Sequence, residues 1–369
     1  DREERPDLDK IHMDALHALG QQGGWPLNIF VTPEGKPVTG GTYFPPSPKY
    51  GRKSFRELLE ILVNLWQNER EKIYSTAEEI TAHLKQQAVP SYNGQPELNW
   101  EMEEQTVAQF RESFDTHHGG FNQQLQNKFP PSMGLMLLLR HHHRSGNTKS
   151  LEMVEKTLQK MYAGGIYDQL GGGLSRYSTD LEWLVPHFEK MLYDNSLFVW
   201  ALIETFQVTK NPLYEIAVRD VLTYVARDMT SPQGAFFSAE DADSEGVEGK
   251  FYVWSKAKVM EILGTETGEL ACAYWDITEN GNFEGSNIPN RPRSDEEVAD
   301  QFGITSEEME IQLRTAREKL LEVRSLRVRP LLDDKVLTSW NALMISAFAR
   351  AARVFVETDF EKKAVRAAN

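Results

Sequence analysis

The densest chemistry in this 369-residue chain lies between Arg176 and Asp194. That run holds Arg176, Tyr177, Trp183, His187, Glu189 and Asp194, with Pro186 just ahead of the histidine. Proline suits the first turn of a helix. On a helix opened by Pro186, His187 and Asp194 lie two turns apart on one face, and Glu189 and Tyr193 share another. A histidine and carboxylates at a helix mouth are suitable general acid/base groups, because their proton affinities can be tuned toward neutrality. Arg176, Tyr177 and Trp183 would bind the substrate, the two rings by stacking on a sugar. The same residues also read as a plain helix start, with His187 bonded to a loop carbonyl and Lys190–Asp194 as a surface pair.

A second run, Ser238 to Gly246, carries Glu240, Asp241, Asp243 and Glu245. A paired-carboxylate mechanism needs one protonated and one ionised acid across a substrate, and close like charges raise one of the two. Asp241 and Asp243 are the candidates. A calcium loop starting at Asp241 would need an acid at its twelfth position, which is Tyr252. The alternative is a solvated acidic turn leading into a strand over 250–254. Trp340 and Asn341 fall at the same place in a weak repeat as Asp194 and Asn195, which puts them either at a cavity mouth or in the core. The consecutive histidines 141–143 fan out around a helix and cannot converge on one metal. No metal or cofactor is indicated, and Cys272 reads as a buried thiol.

The elements that must position these residues divide the chain in two. Residues 1–92 read as α/β. A helix with Leu8, Ile11, Ala15 and Leu19 on its apolar face is capped by Asp7, and Trp25 to Val31 reads as a strand. A Pro33-Glu-Gly turn leads to a second strand near Pro37, and Ser54 with Glu57 forms a capping box opening a long helix. Pro90 to Pro96 is the linker candidate. Residues 93–369 are mostly helical, with hairpins at 132–143/150–162 and at a helix opening near Met191 followed by 214–229. Met191-Leu-Tyr-Asp-Asn-Ser-Leu197 aligns with Leu337-Thr-Ser-Trp-Asn-Ala-Leu343. Helical hairpins repeating every ~60 residues suggest an α/α toroid or solenoid whose inner helices aim loops at a common cavity.

Composition removes several classes. A net charge of -15 argues against a nucleic-acid partner, since a phosphate backbone requires a basic face. Arg324, Arg327 and Arg329 form a local basic stretch that reads as a solvated turn. The longest apolar run, around Met344 to Phe348, is far short of a bilayer span. One cysteine gives no disulfide framework and fits a reducing, cytoplasmic compartment. The chain opens at Asp1 and stops a few residues into a helix that begins near Asp359, so it reads as a fragment cut at both ends.

Five motifs carry a resemblance. They are Asp1-Arg-Glu-Glu-Arg-Pro-Asp7, Gly23-Gly-Trp-Pro-Leu-Asn28, Gly40-Gly-Thr-Tyr-Phe-Pro-Pro46, Pro186-His-Phe-Glu-Lys-Met-Leu-Tyr-Asp-Asn195 and Leu337-Thr-Ser-Trp-Asn341. Together they resemble the spermatogenesis-associated protein 20-like family of thioredoxin domain-containing proteins, nearly end to end. The resemblance implies a truncated thioredoxin-like α/β domain followed by an incomplete all-α (α/α)6 toroid of six-hairpin glycosidase type, similar in shape to sugar epimerases. It makes Trp25 and Pro26 neighbours of a redox site, with Pro26 at the place of the fold's cis proline. It also puts the family's Cys-x-x-Cys upstream of Asp1, so that thiol–disulfide exchange would belong to the complete protein. Three functions follow as expectations: a thiol redox protein carrying a sugar-binding or sugar-processing toroid, a carbohydrate-active hydrolase or epimerase, and a non-catalytic binder. Their partners are a small-molecule sugar substrate or a thiol partner protein.

Overall fold

The computed structural model describes residues 2–49, 51–88, 99–121 and 127–369. The linker candidate at 90–96 lies outside them. The chain forms two compact units, Asp1–Glu97 and Leu98–Asn369.

The first unit is α/β. Helix α1 (Pro6–Ala18) starts on a proline, and Asp7 pairs with Arg5 rather than capping the helix, since a proline at the first position already removes one orphan N–H. Strands β1 (Asn28–Val31) and β2 (Pro37–Gly41) form an antiparallel hairpin. Helix α2 (Phe55–Asn68) opens on the Ser54–Glu57 capping box, with both reciprocal bonds made. Helix α3 (Arg70–Ala88) packs against α1, α2 and β2 and buries Ile73, Ala77 and Ile80 with Ala15 and Leu16.

The second unit is built on helical hairpins. Helix α4 (Trp100–Ser113) precedes the pair α5 (Ser132–Ser145) and α6 (Thr148–Ala163). The short strands β3 (Tyr177–Ser178), β4 (Pro186–His187) and β5 (Lys190–Met191) lead into α7 (Leu192–Thr209), which pairs with α8 (Pro212–Asp228). A long excursion follows. It carries β6 (Ala239–Glu240), β7 (Asp243–Ser244), β8 (Val247–Glu248), then α9 (Lys256–Leu263), α10 (Thr265–Tyr274), α11 (Asp295–Phe302), α12 (Ser306–Ser325) and β9 (Leu332–Asp333). The chain then returns to a third hairpin, α13 (Thr338–Phe355) with α14 (Thr358–Ala368).

Helix α7 lies between α5 and α13, so the first helices of the three hairpins form one row. An aromatic seam joins two of them. Tyr193 meets Trp340 edge-on at 4.7 Å, the Trp200 indole donates to the Leu343 carbonyl at 3.3 Å, and Phe206 meets Phe355 at 5.1 Å. The repeat seen in the sequence is a structural one. Asn195 accepts from the Leu174 N–H at 2.8 Å and donates to the Leu174 and Met191 carbonyls. Asn341 does the same with Phe236 (2.8 Å) and the carbonyls of Phe236 and Leu337. Each asparagine clamps the start of its helix to the loop that precedes it. The excursion helices have their own core around Trp254, Val259, Leu270, Val298 and Leu313. Among the described residues no helix is long and apolar enough to cross a membrane.

Candidate functional site

The residues ahead of α7 are extended, not helical. Tyr177 pairs with His187 and Ser178 with Pro186, while Lys190 pairs with Glu240 and Met191 with Ala239. The chain between β3 and β4 turns around Asp180, whose carboxylate accepts from the N–H groups of Glu182, Leu184 and Val185. The helix expected from Pro186 therefore begins six residues later, at Leu192. His187 and Asp194 do not share a helical face: His187 and Glu189 sit on the extended approach, and Asp194 lies in the first turn of α7.

This geometry gathers a polar cluster. His187 Nδ1 lies 2.7 Å from Glu248 Oε1, within hydrogen-bond range, and His187 Nε2 lies 3.9 Å from Glu189 Oε2. Arg176 Nη1 donates to Glu189 at 2.7 Å. Burial opposes the Arg176 charge, but Tyr193 and Glu189 beside it hold its proton more tightly than usual. Tyr177 stacks on the His187 ring at 5.0 Å and 23°, and the Phe129 ring lies 4.8 Å from Tyr177. Burial and the Glu248 carboxylate push the Tyr177 phenol up. Asp241 is the next residue beyond the Lys190–Glu240 pair, as Glu189 is on the facing strand, and its carboxylate accepts from the N–H of Ala242. Asp243 stands opposite Glu248 across the β7–β8 ladder.

Three expected site residues are placed elsewhere. Trp183 is fully buried, its indole N–H donating to the His118 carbonyl at 2.9 Å and its ring facing Lys128, so it offers no surface to a ligand. Trp340 is packed against Tyr193, and Asn341 is spent on the Phe236 backbone. The acidic run does not lead into a strand over 250–254; it forms the β7–β8 hairpin, followed by a turn closed by the Tyr252 N–H on the Gly249 carbonyl. In the first unit the Trp25–Pro26 peptide bond is cis, and the Trp25 indole donates to Asp9 at 2.9 Å.

Glu248 and a buried ion network escaped the sequence reading. Side chains alternate along an extended segment, so Glu189 faces out and Lys190 faces in. Lys190 donates to Asp168 at 2.9 Å and lies over the rings of Tyr224 and Tyr252. Arg324 binds both oxygens of Asp168 at 2.8 Å. Burial alone would raise the Asp168 carboxyl, but Arg324 and Lys190 outweigh it and hold it well below the usual range. Burial lowers the Lys190 ammonium, which Asp168 and Glu240 only partly restore. Glu240 accepts from Tyr224 at 2.6 Å and from Arg329 at 2.8 Å. The basic stretch is thus no solvated turn: Arg324 is buried, and Arg327 stacks on Trp254 at 3.8 Å. For Glu248 a signal was available, since Glu245-Gly246 between two short segments is a two-residue hairpin loop.

Residues 1–85 match a family model described as "Thioredox_DsbH: Protein of unknown function, DUF255". The class is a thioredoxin-like α/β unit followed by a row of α/α hairpins, the unit from which an α/α toroid is built. The chain belongs to the spermatogenesis-associated protein 20-like family. It is 35% identical to human (Homo sapiens) spermatogenesis-associated protein 20 over 380 residues, which cover 95% of this chain and 48% of that protein. The mouse (Mus musculus) protein gives 33% over 380 residues, with the same coverage. The chain thus spans about half the length of these curated relatives. Among solved structures, it is similar to the cellobiose 2-epimerase of Bacillus thermoamylovorans, with a TM-score of 0.36 at 12% identity, covering 73% of this chain and 84% of that one.

Proposed function

We propose that the helical-hairpin unit binds a carbohydrate on the face formed by residues 176–189 and 241–248, and processes it by acid–base chemistry at His187. The observation that carries this reading is the His187 ring itself: stacked on Tyr177, tied through Nδ1 to Glu248, and with Nε2 beside the Glu189–Arg176 pair. The His187 side chain keeps 30% of its surface exposed, so a ligand can reach it. A sugar offers hydroxyls to Glu189, Arg176 and Asp241 and an apolar ring face to Tyr177 and the exposed Phe129. A few convergent polar groups beside aromatic surface are what small-molecule sites use. His187 moves the proton, Glu189 or Asp241 is the partner carboxylate, and Asp243 serves the hairpin.

The test is a thermal-shift screen of the complete protein with neutral mono- and disaccharides, amino sugars and sugar phosphates. A ligand at about a hundred times its dissociation constant stabilises by ~2.7 kcal/mol. The expected result is a shift that survives His187→Gln, with turnover of the same sugar lost in that variant. No shift across the panel overturns the reading. Binding without turnover in either form makes the domain a binder.

A second reading, thiol–disulfide exchange by the complete protein, is favoured by the thioredoxin-type match over residues 1–85. It requires cysteines beyond these 369 residues, because burial pushes the Cys272 thiol up to about 11. Reduction of a model disulfide by the complete protein tests it, and an inert protein would end it.

A further inference from the structure

We infer that Glu248 is the positioning residue of the site: it fixes His187 as the Nδ1–H tautomer and so leaves Nε2 as the proton acceptor. The inference rests on the acid–base reading of His187 given above. An ionised carboxylate can only accept a hydrogen bond, so the 2.7 Å contact requires the proton on Nδ1. A neutral imidazole then carries its lone pair on Nε2. At 3.9 Å from Glu189, that nitrogen is beyond hydrogen-bond range and stays open to a ligand.

The chain around Glu248 is built to hold this contact. Glu245 and Gly246 take positive φ angles of 54° and 75°, the loop geometry that matches the twist of a tight hairpin. The base of the hairpin is tied by Gly249 N–H to the Ala242 carbonyl at 3.0 Å, and Ser244 donates to the Val328 carbonyl at 2.6 Å. Gly249 also lies against the Phe188 ring so closely that a Cβ there would sit 2.5 Å from it. Phe188 follows His187 and Gly249 follows Glu248, so one packed contact sets the spacing of the neighbouring pair. Across the ladder Glu248 faces Asp243, and like charges directly opposed repel. The imidazole N–H gives Glu248 a partner on that crowded face. Tyr177 stacked on the ring restrains its rotation.

A carboxylate that orients a histidine acts without touching the substrate, so the test reads the ring and not turnover. Long-range proton–nitrogen NMR of the His187 ring in the complete protein, at a pH where the ring is neutral, distinguishes the two tautomers. Nδ1 should resonate in the protonated range and Nε2 in the unprotonated range. Glu248→Ala should move Nδ1 toward the unprotonated range, and Glu248→Gln, whose amide oxygen still accepts, should preserve the wild-type pattern. Gly249→Ala should shift the ring like Glu248→Ala by displacing the hairpin from Phe188, while both carboxylates remain. An Nε2–H tautomer in the wild type, or no change in Glu248→Ala, overturns the inference whether or not any sugar binds. Silence in the sugar screen with the expected tautomer would instead overturn the acid–base reading alone.

Discussion

Asp168, Lys190 and Arg324 form a buried ionic group in the second unit. Removing one partner of a buried ionic group leaves the others charged and unpaired, a loss of about 3–5 kcal/mol. Asp168→Asn should cost that much in denaturant unfolding, with no new thiol, ligand or charge involved. The same carboxyl has a pH signature. Its folded-state value lies well below the ordinary 3.8, so the unfolded chain takes up a proton first as pH falls. The stabilisation is therefore complete above 3.8 and is lost as pH falls from there through the folded-state value. Calorimetry below pH ~4 should show the wild type losing stability faster than Asp168→Asn. None of this was legible in the sequence. Asp168 and Arg324 lie far apart along the chain, and an arginine among carboxylates looks solvated until a fold buries it. The grouping of His187 and Glu189 with Arg176 and Tyr177 was legible, because these types are scarce in one short run and the structure keeps them side by side. Trp183 misled for the opposite reason: its size suits a stacking platform and a core equally, and the core took it.

At the scale of elements, the two asparagine clamps explain what the repeat is for. Asn341→Ala would orphan the Phe236 N–H and carbonyl in a buried place, and each orphan costs roughly 1–3 kcal/mol. Asn341→Asp keeps the acceptor but sets a buried carboxylate against the Phe236 and Leu337 carbonyls, so at neutral pH it should cost at least as much as alanine in thermal unfolding. The same ordering should hold at Asn195, where Leu174 is the partner. The recurrence of the asparagine was visible in the aligned segments, but its job was not, because the partner is backbone in a loop 21 residues away for Asn195 and 105 for Asn341. The approach to α7 went the same way. Proline followed by a histidine and carboxylates has a helix-start texture, yet backbone pairing with β3 and β6 keeps residues 186–191 extended. Tertiary pairing overrode local preference, and with it went the two-turn argument linking His187 to Asp194.

At the scale of the molecule, the division into an α/β unit and a helical-hairpin unit was readable from texture and turn chemistry alone. The excursion between the second and third hairpins was not, since periodicity predicted a return after ~60 residues. Its helices have a separate apolar core, and its Arg324 reaches back to Asp168, so it is both insertion and brace. That long detour has a consequence in time. On the ribosome α7 is finished about 130 residues before α13 begins, and at roughly 5–20 residues per second the interval is about 6–26 seconds. Throughout it Tyr193, Trp200 and Phe206 wait without the helix that covers them. Nascent chains stalled within the detour should be cut by protease in α7 and captured by hydrophobe-binding chaperones, and chains released past α14 should resist both. The order in which this protein is born, as much as its finished packing, should then decide how much its second hairpin needs an escort.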